Sequence, residues 1–317
     1  MATRVGADPL ADREAWHATY AAHPHDKMVR LNSTVFEDLR LEKTKPPDAV
    51  PTPFPTLNRI LLGPGGQVGL PHGHQIIFAA ASGNGKTIVA LNVVVTALRN
   101  GENVVYFMLE GEPETFTARL AAIATGAGLR SVTRGRHYDI EADESAARAF
   151  IGLPGSLFFN PEPMYELDDI RDVIERFHTD YGVRTFVVDH LQLAKSGTEK
   201  AIFDRVTEFS HATRTLAVRH KLLSIGLSQL NRRASGNRQE CPCIHDLLGG
   251  SSIESDASLV ALVDHCTKHS KYDPVRNVTT TDLIVGKNRN GPPATIPIAF
   301  EHNTSRVREA LPDEEAS

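Results

Sequence analysis

Residues 75–98 read QIIFAAASGNGKTIVALNVVVTAL: an apolar run, a turn of Ser82, Gly83, Asn84 and Gly85, then Lys86, Thr87 and a second apolar stretch. A strand that ends in a glycine-bearing loop and restarts as a helix aims several backbone N–H groups, and the positive end of the helix dipole, at one point. Phosphate is the natural occupant, so the pattern implies a bound nucleoside triphosphate. Lys86 is placed to reach its outer phosphates and the Thr87 hydroxyl to ligate Mg²⁺. Ala80 stands where the G-x-x-x-x-G-K-[ST] pattern opens on glycine, so the loop must leave the strand without a positive φ at that position.

Outward from the loop, strand-like runs at 103–109, 156–159, 184–188 and 222–227 alternate with helical stretches at 87–99, 112–124, 167–181 and 202–220. Alternation of this kind predicts βαβ units: an α/β fold with a mainly parallel central sheet and flanking helices. Two further runs, 279–285 and 294–299, flank Arg289-Asn290-Gly291-Pro292, and the Asn-Gly pair predicts a tight C-terminal β-hairpin. Upstream, residues 10–22 carry Trp16 and Tyr20 one turn apart and form a candidate helix within an N-terminal arm, 1–45. Five prolines between Pro46 and Pro55 predict an extended spacer over 46–56. The nucleotide-binding domain then spans 57–308, followed by a disordered acidic tail, 309–317.

The totals narrow the classes. A chain of 317 residues, 41% hydrophobic and 23% charged, can bury one large core and is not disordered throughout. The best candidate for a membrane span, 88–98, is broken by Asn92, and Asp8, Asp12 and Glu14 occupy the stretch where a signal peptide needs an apolar core. A cytoplasmic protein without membrane contact is expected. Cys241, Cys243 and Cys266 are an odd number, which argues against a disulfide framework. With His245 and His269 they invite a zinc reading, but C-x-C followed by C-x-x-H lacks the usual C-x₂₋₄-C pair, and free thiols are expected. A net charge of -5 gives no global attraction to nucleic acid, so any DNA contact needs a local basic surface.

In an open α/β sheet, ligands gather at the carboxyl ends of the strands. Glu110 ends one strand, where a carboxylate can polarise the water that attacks the γ-phosphate; Glu112 and Glu114 are alternatives. Asp189 ends another, the expected place for the acid that holds Mg²⁺. Gln229 ends the next, within reach of the γ-phosphate. Lys287 and Arg289 lie at the hairpin turn, either as a solvated basic turn or as cations that complete a neighbouring subunit's site. Arg232, Arg233 and Arg238 cluster in one polar loop and Lys195 and Lys200 in another, both suited to a nucleic-acid backbone.

Taken together, the motifs resemble the ATPase domain of the hexameric DnaB-type replicative helicases of bacteria and phages, within the RecA-like P-loop NTPases, over residues 53–308. The first half would suit many RecA-like ATPases. The second half discriminates: VVDHLQL (187–193), LSQLNR (227–232), GSSIESDA (250–257) and GKNRNGP (286–292) recur in that order and spacing in the helicase family. The resemblance implies ATP and Mg²⁺ bound through Lys86, Thr87 and Asp189, Glu110 as catalytic base, and Gln229 coupling hydrolysis to DNA. It also makes Lys287 and Arg289 a trans-acting pair, in a homo-oligomeric, hexameric ring on single-stranded DNA. Residues 10–22 would then match the family's linker helix. Two departures stand out. The stretch before residue 53 is too short for the family's N-terminal collar, and Asp246-Leu247 is followed by Leu248-Gly249-Gly250 where the family's DNA-contacting loop carries an arginine and an acid. The backbone of Gly249 and Gly250, with Arg232, Arg233 and Arg238, is the expected DNA-binding surface. The expected activity is DNA unwinding in replication, 5′ to 3′ by resemblance. A rival is a RecA-like, nucleotide-switched DNA-binding ATPase, a recombination mediator or regulator, without processive unwinding.

Overall fold

The apolar run ahead of the phosphate loop is a strand covered on both faces. The computed structural model describes residues 48–61, 69–133, 135–195, 201–231, 241–266 and 270–315. In chain order its elements are β1 (Ala49–Val50), α1 (Pro55–Ile60), β2 (Leu70–Pro71), β3 (Gln75–Ala80), α2 (Lys86–Arg99), β4 (Val104–Met108), α3 (Pro113–Thr125), α4 (Ile140–Ile151), β5 (Leu157–Phe159), α5 (Leu167–Tyr181), β6 (Thr185–Asp189), α6 (Ile202–His220), β7 (Leu223–Gln229), α7 (Gly250–Asp256), β8 (Leu259–Asp264), β9 (Lys271–Asp273), β10 (Val278–Asn288), β11 (Ala294–Glu301), β12 (Arg306–Glu309) and α8 (Pro312–Glu315). The candidate helix at 10–22 and the residues Lys200, Arg232, Arg233, Arg238 and His269 lie outside the described residues.

Ten strands form one sheet in the order β12-β11-β10-β8-β3-β7-β6-β4-β5, with β9 paired to β10. The run from β8 to β5 is parallel, and β10, β11 and β12 add antiparallel strands at one side. Period-two alternation sorts the buried side chains. Ile76, Phe78 and Ala80 pack with Val89 and Val93 of α2 on one face, while Ile77 and Ala79 pack with Ile170 of α5 and Phe209 of α6 on the other. Full burial of a residue such as Ile77 or Phe78 contributes about 1.5–3 kcal/mol, which is why these runs carry apolar residues at every position rather than alternating. The β-branched stretch of α2 is helical because its packing outweighs its propensity. Asn92, the polar interruption in that helix, donates to Ser305 O (2.9 Å) and accepts from Val307 N (3.0 Å), tying α2 to β12.

The structure departs from the sequence expectations at four places. Residues 48–56 are not a spacer: β1 pairs with β2, Pro55 begins α1, Val50 and Phe54 are fully buried, and Thr56 Oγ1 donates to Glu309 Oε2 at 3.0 Å. The acidic end is not wholly disordered either. Pro312–Glu315 forms a helical turn in which Glu314 pairs with Arg308 at 2.8 Å, and that pairing holds the Glu314 carboxyl down at about 2. Strand β8 and helix α4 were not anticipated; Asp139 caps α4 by accepting from Glu141 N and Ala142 N. The hairpin is also looser than an Asn-Gly turn predicts. Its last cross-strand pair is Val285–Ala294, and neither Asn290 nor Gly291 has a positive φ. Gly291 is needed for another reason, because a Cβ there would lie 2.1 Å from Ile60 O.

Candidate functional site

Ala80 is the last residue of β3 and its φ is not positive, as the alanine requires. The turn is made instead by Gly83 (φ 79°) and Gly85 (φ 83°), with Asn84 N–H donating to Ala81 O. Gly85 caps α2, and the Phe300 ring packs so closely that a Cβ at Gly85 would meet it at 2.7 Å. Ser82 and Gly83 are exposed at the tip, and Lys86 and Thr87 begin the helix.

Around this loop the strand ends converge. Lys86, 7% exposed, lies 3.4 Å from Glu110 Oε1 just beyond β4. Thr87 Oγ1 and Tyr106 OH both donate to Asp189 Oδ2, each at 2.8 Å. Asp189 is 3% exposed, and its other oxygen, Oδ1, is buried with no hydrogen-bond partner among the described residues. Burial pushes its carboxyl above the ordinary value, against the opposing pull of Lys86. A buried, under-satisfied carboxylate beside a threonine hydroxyl is an oxygen donor set suited to a hard cation such as Mg²⁺. His190 follows at once, with Nδ1 3.2 Å from Glu110 Oε1, and burial lowers its pKa.

Gln229 ends β7 in register with Ala80. Its N–H donates to Gln192 Oε1 at 3.1 Å, while Gln192 Nε2 donates to Ser228 Oγ (2.8 Å) and Leu248 O (3.2 Å). Gln192 therefore staples the end of β7 to the turn that carries Gly249 and Gly250. That turn uses its own groups: Gly250 N–H donates to Leu247 O at 3.0 Å, so this amide is engaged within the turn. Gly249 adopts φ 91° at the cap of α7, where a Cβ would press on Val206. Asp256 pins the other end of α7 to α6 through Ser210 Oγ (2.9 Å) and Arg214 Nη1 (3.3 Å).

Lys287 and Arg289 are placed elsewhere. Both fold back onto α7, Lys287 Nζ donating to Glu254 O and an Arg289 guanidinium nitrogen to Ser255 O. Arg289 N–H donates to Ser258 O (2.9 Å) and Ser258 N–H to Gln75 O (2.8 Å). These cations thus lie beside the start of β3, and the phosphate loop follows its end. Burial and then Arg289 lower the Lys287 pKa. Lys195 stacks its ammonium over Tyr165, 5.1 Å from the ring centre. The thiols of Cys241 and Cys266 approach to 3.7 Å, and Cys243 is instead engaged in capping the 3₁₀ turn at Ile244–Asp246.

Sequence reasoning passed over Tyr106, His190 and Gln192. Two of them sit inside the quoted VVDHLQL stretch, where their polarity amid apolar neighbours was the available signal.

Comparison with known proteins agrees with this geometry. The DnaB-like helicase C-terminal domain family matches residues 49–309. A replicative DNA helicase DnaB of Leifsonia xyli is 30% identical over 265 residues, covering 83% of this chain and 56% of the relative. The DnaB of Geobacillus stearothermophilus is 28% identical over 254 residues, covering 79% and 54%. The chain therefore spans about half the length of the curated relatives it matches. Among solved structures, a helicase ATPase domain superposes with a TM-score of 0.71 at 20% identity, over 88% of this chain and 96% of that one. A DnaB-like replicative helicase described with its interactions with primase gives 0.73 at 18%, over 96% and 74%. The fold is that of a RecA-like helicase ATPase domain. Among the described residues no helix is long and apolar enough to cross a membrane.

Proposed function

Because this chain belongs to the DnaB-like helicase C-terminal domain family, we propose that it is a cytoplasmic, ring-forming, Mg²⁺-dependent ATPase of DNA replication that moves on single-stranded DNA and unwinds duplex, 5′ to 3′. The observation that carries the reading is the split of the chemistry between the two ends of β3. Lys86, Glu110 and Asp189 gather at the end of the strand, and Lys287 and Arg289 at its start. A second copy of the chain, set beside the first, supplies the missing cations to the phosphates, as a closed ring of like interfaces requires.

The residues divide the work. Lys86 turns from Glu110 to the outer phosphates, and Glu110, so released, orients and polarises the attacking water. Thr87 and Asp189 hold Mg²⁺, directly or through its water shell, and Tyr106 and Thr87 fix the carboxylate that does so. Mg²⁺ bound there neutralises charge developing on the phosphates. Arg289 of the adjacent copy stabilises the same charge from the other side. Gln229 senses the γ-phosphate and passes its position through Gln192 to Leu248 and the Gly249–Gly250 turn. Single-stranded DNA is held there together with Arg232, Arg233 and Arg238.

A forked substrate with a 5′ tail, combined with native mass in ATP and a single-stranded oligonucleotide, tests this. Strand displacement by an oligomer is the expected result. DNA-stimulated hydrolysis without displacement would instead favour the RecA-like nucleotide-switched binding protein, a reading kept open by the engaged Gly250 amide. Full-rate hydrolysis by a monomer indifferent to DNA would exclude both.

A further inference from the structure

Two stretches of chain outside the nucleotide site bring three soft and hard ligands together. Asp264 ends β8 and Cys266 follows it, while Cys241 opens the limb that leads back to Leu247. The two Sγ atoms lie 3.7 Å apart. With a carboxylate oxygen of Asp264 they form a group in which all the ligand atoms lie within 4.8 Å of one another. Asp264 is fully buried and Cys266 nearly so, whereas Cys241 is exposed, so the group is walled by protein and open on one side. Cys266 N–H donates to Asp264 Oδ1 at 2.7 Å and fixes the carboxylate.

The spacing discriminates between chemistries. Two sulfurs each about 2.3 Å from a tetrahedral zinc ion stand about 3.8 Å apart, whereas a disulfide draws them to about 2.0 Å. We propose that Cys241, Cys266 and Asp264 bind one zinc ion, with water in the fourth position. Thiolates select zinc over Mg²⁺ or Ca²⁺, which prefer all-oxygen sites. The C-x-C and C-x-x-H spacings hid this because the ligands converge in space from residues 25 apart in sequence. The site clamps a specific point. Leu230 bridges Leu247, and Asn231 N–H donates to Asp246 O at 2.7 Å, so residues 232–240 leave and return at one stem. Zinc at Cys241 ties the returning limb of that stem to β8, the neighbour of β3 in the sheet.

The test uses the full chain without nucleotide or DNA, so its outcome is separate from that of the proposed activity. Purified under reductant and without chelator, the protein should hold about one zinc per chain. Stripped protein titrated with Zn²⁺ alone should regain it and unfold at a higher temperature. Cys241→Ser and Cys266→Ser should fall below about a tenth of an equivalent, while Cys243→Ser keeps the metal. Co²⁺ added to the unmutated stripped chain should give the visible bands of a tetrahedral thiolate complex, a readout that needs no variant to fold. The proposal is overturned if the unmutated chain takes up neither metal, or if Cys243→Ser empties the site as completely as Cys241→Ser. It is also overturned if the unreduced, denatured, metal-stripped chain titrates one thiol where the sequence has three, which would make Cys241 and Cys266 a disulfide.

Discussion

Lys86 and Arg289 lie at opposite ends of one strand. Lys86 follows the loop that begins after Ala80, the last residue of β3, and Arg289 N–H reaches Ser258, whose own N–H meets Gln75 O at the first. Five residues of extended chain separate Gln75 from Ala80, about 17 Å, and the Arg289 side chain turns back to the α7 carbonyls instead of along the sheet. Within one copy the arginine has no route to the phosphate loop, so its catalytic use demands a partner.

Arg289→Ala should lower kcat by about a thousandfold, the lower end of what an arginine supplied to a transferring phosphoryl group contributes, and leave nucleotide affinity in place. Glu110→Gln should be comparably inactive. Mixed, the two variants form some interfaces that pair an intact Glu110 with an intact Arg289, and part of the turnover should return. Steady-state hydrolysis on the mixture checks this; activity no greater than the sum of the two variants alone would count against shared sites.

Gln192→Ala should weaken the link between nucleotide and DNA. The wild-type amide satisfies Gln229 N, Ser228 Oγ and Leu248 O within a buried setting. Removing it leaves those groups short of partners at about 1–3 kcal/mol, and detaches the end of β7 from the turn at Gly249. The ratio of DNA-stimulated to unstimulated hydrolysis should drop by about fivefold or more, the lower end of ordinary coupling free energies. An unchanged ratio would place the coupling elsewhere.

What the sequence disclosed and what it withheld follow from the range of the interactions involved. The phosphate loop was legible because its glycines, lysine and threonine act within one turn. Strands β3, β4, β6 and β7 announced themselves as apolar runs bounded by polar residues. Strand β8 is a similar run of six, but it follows α7 with almost no turn between them, and a short apolar run alone does not separate strand from helix. The part played by Tyr106 depends on Asp189, 83 residues away, and no local pattern encodes that meeting. Local rules also misled. The prolines near Pro55 suggest a spacer, yet Phe54 is buried and Pro55 starts a helix. The Asn-Gly pair suggests a tight turn, yet Gly291 is there to clear Ile60 O.

The arginines of 232–240 enter through salt dependence. If Arg232 and Arg233 each neutralise one phosphate of single-stranded DNA, the double variant Arg232→Ala, Arg233→Ala should reduce the slope of log affinity against log salt by about 1.4. Binding measured across a salt series decides it, and a slope equal to that of the unmutated chain would remove these residues from the DNA path.

Acid should loosen the fold through His190. Its imidazole is 5% exposed, beside Lys86, Glu110 and Asp189. Burial holds its pKa below the ordinary 6.5, and the Lys86 charge lowers it further, against the pull of Glu110 and Asp189. The unfolded chain therefore takes up a proton at a pH where the folded chain still refuses it. The stability owed to neutral His190 is complete above about pH 6.5 and drains away as pH falls through the lower folded value. The thermal midpoint of the unmutated chain should thus fall between about pH 7.5 and pH 5.5, and His190→Asn should fall by less. The variant keeps a residual slope, because burial also lowers the pKa values of His74 and His265. Equal slopes for the two proteins would mean that His190 titrates alike folded and unfolded, and that its place beside Glu110 has no bearing on acid stability.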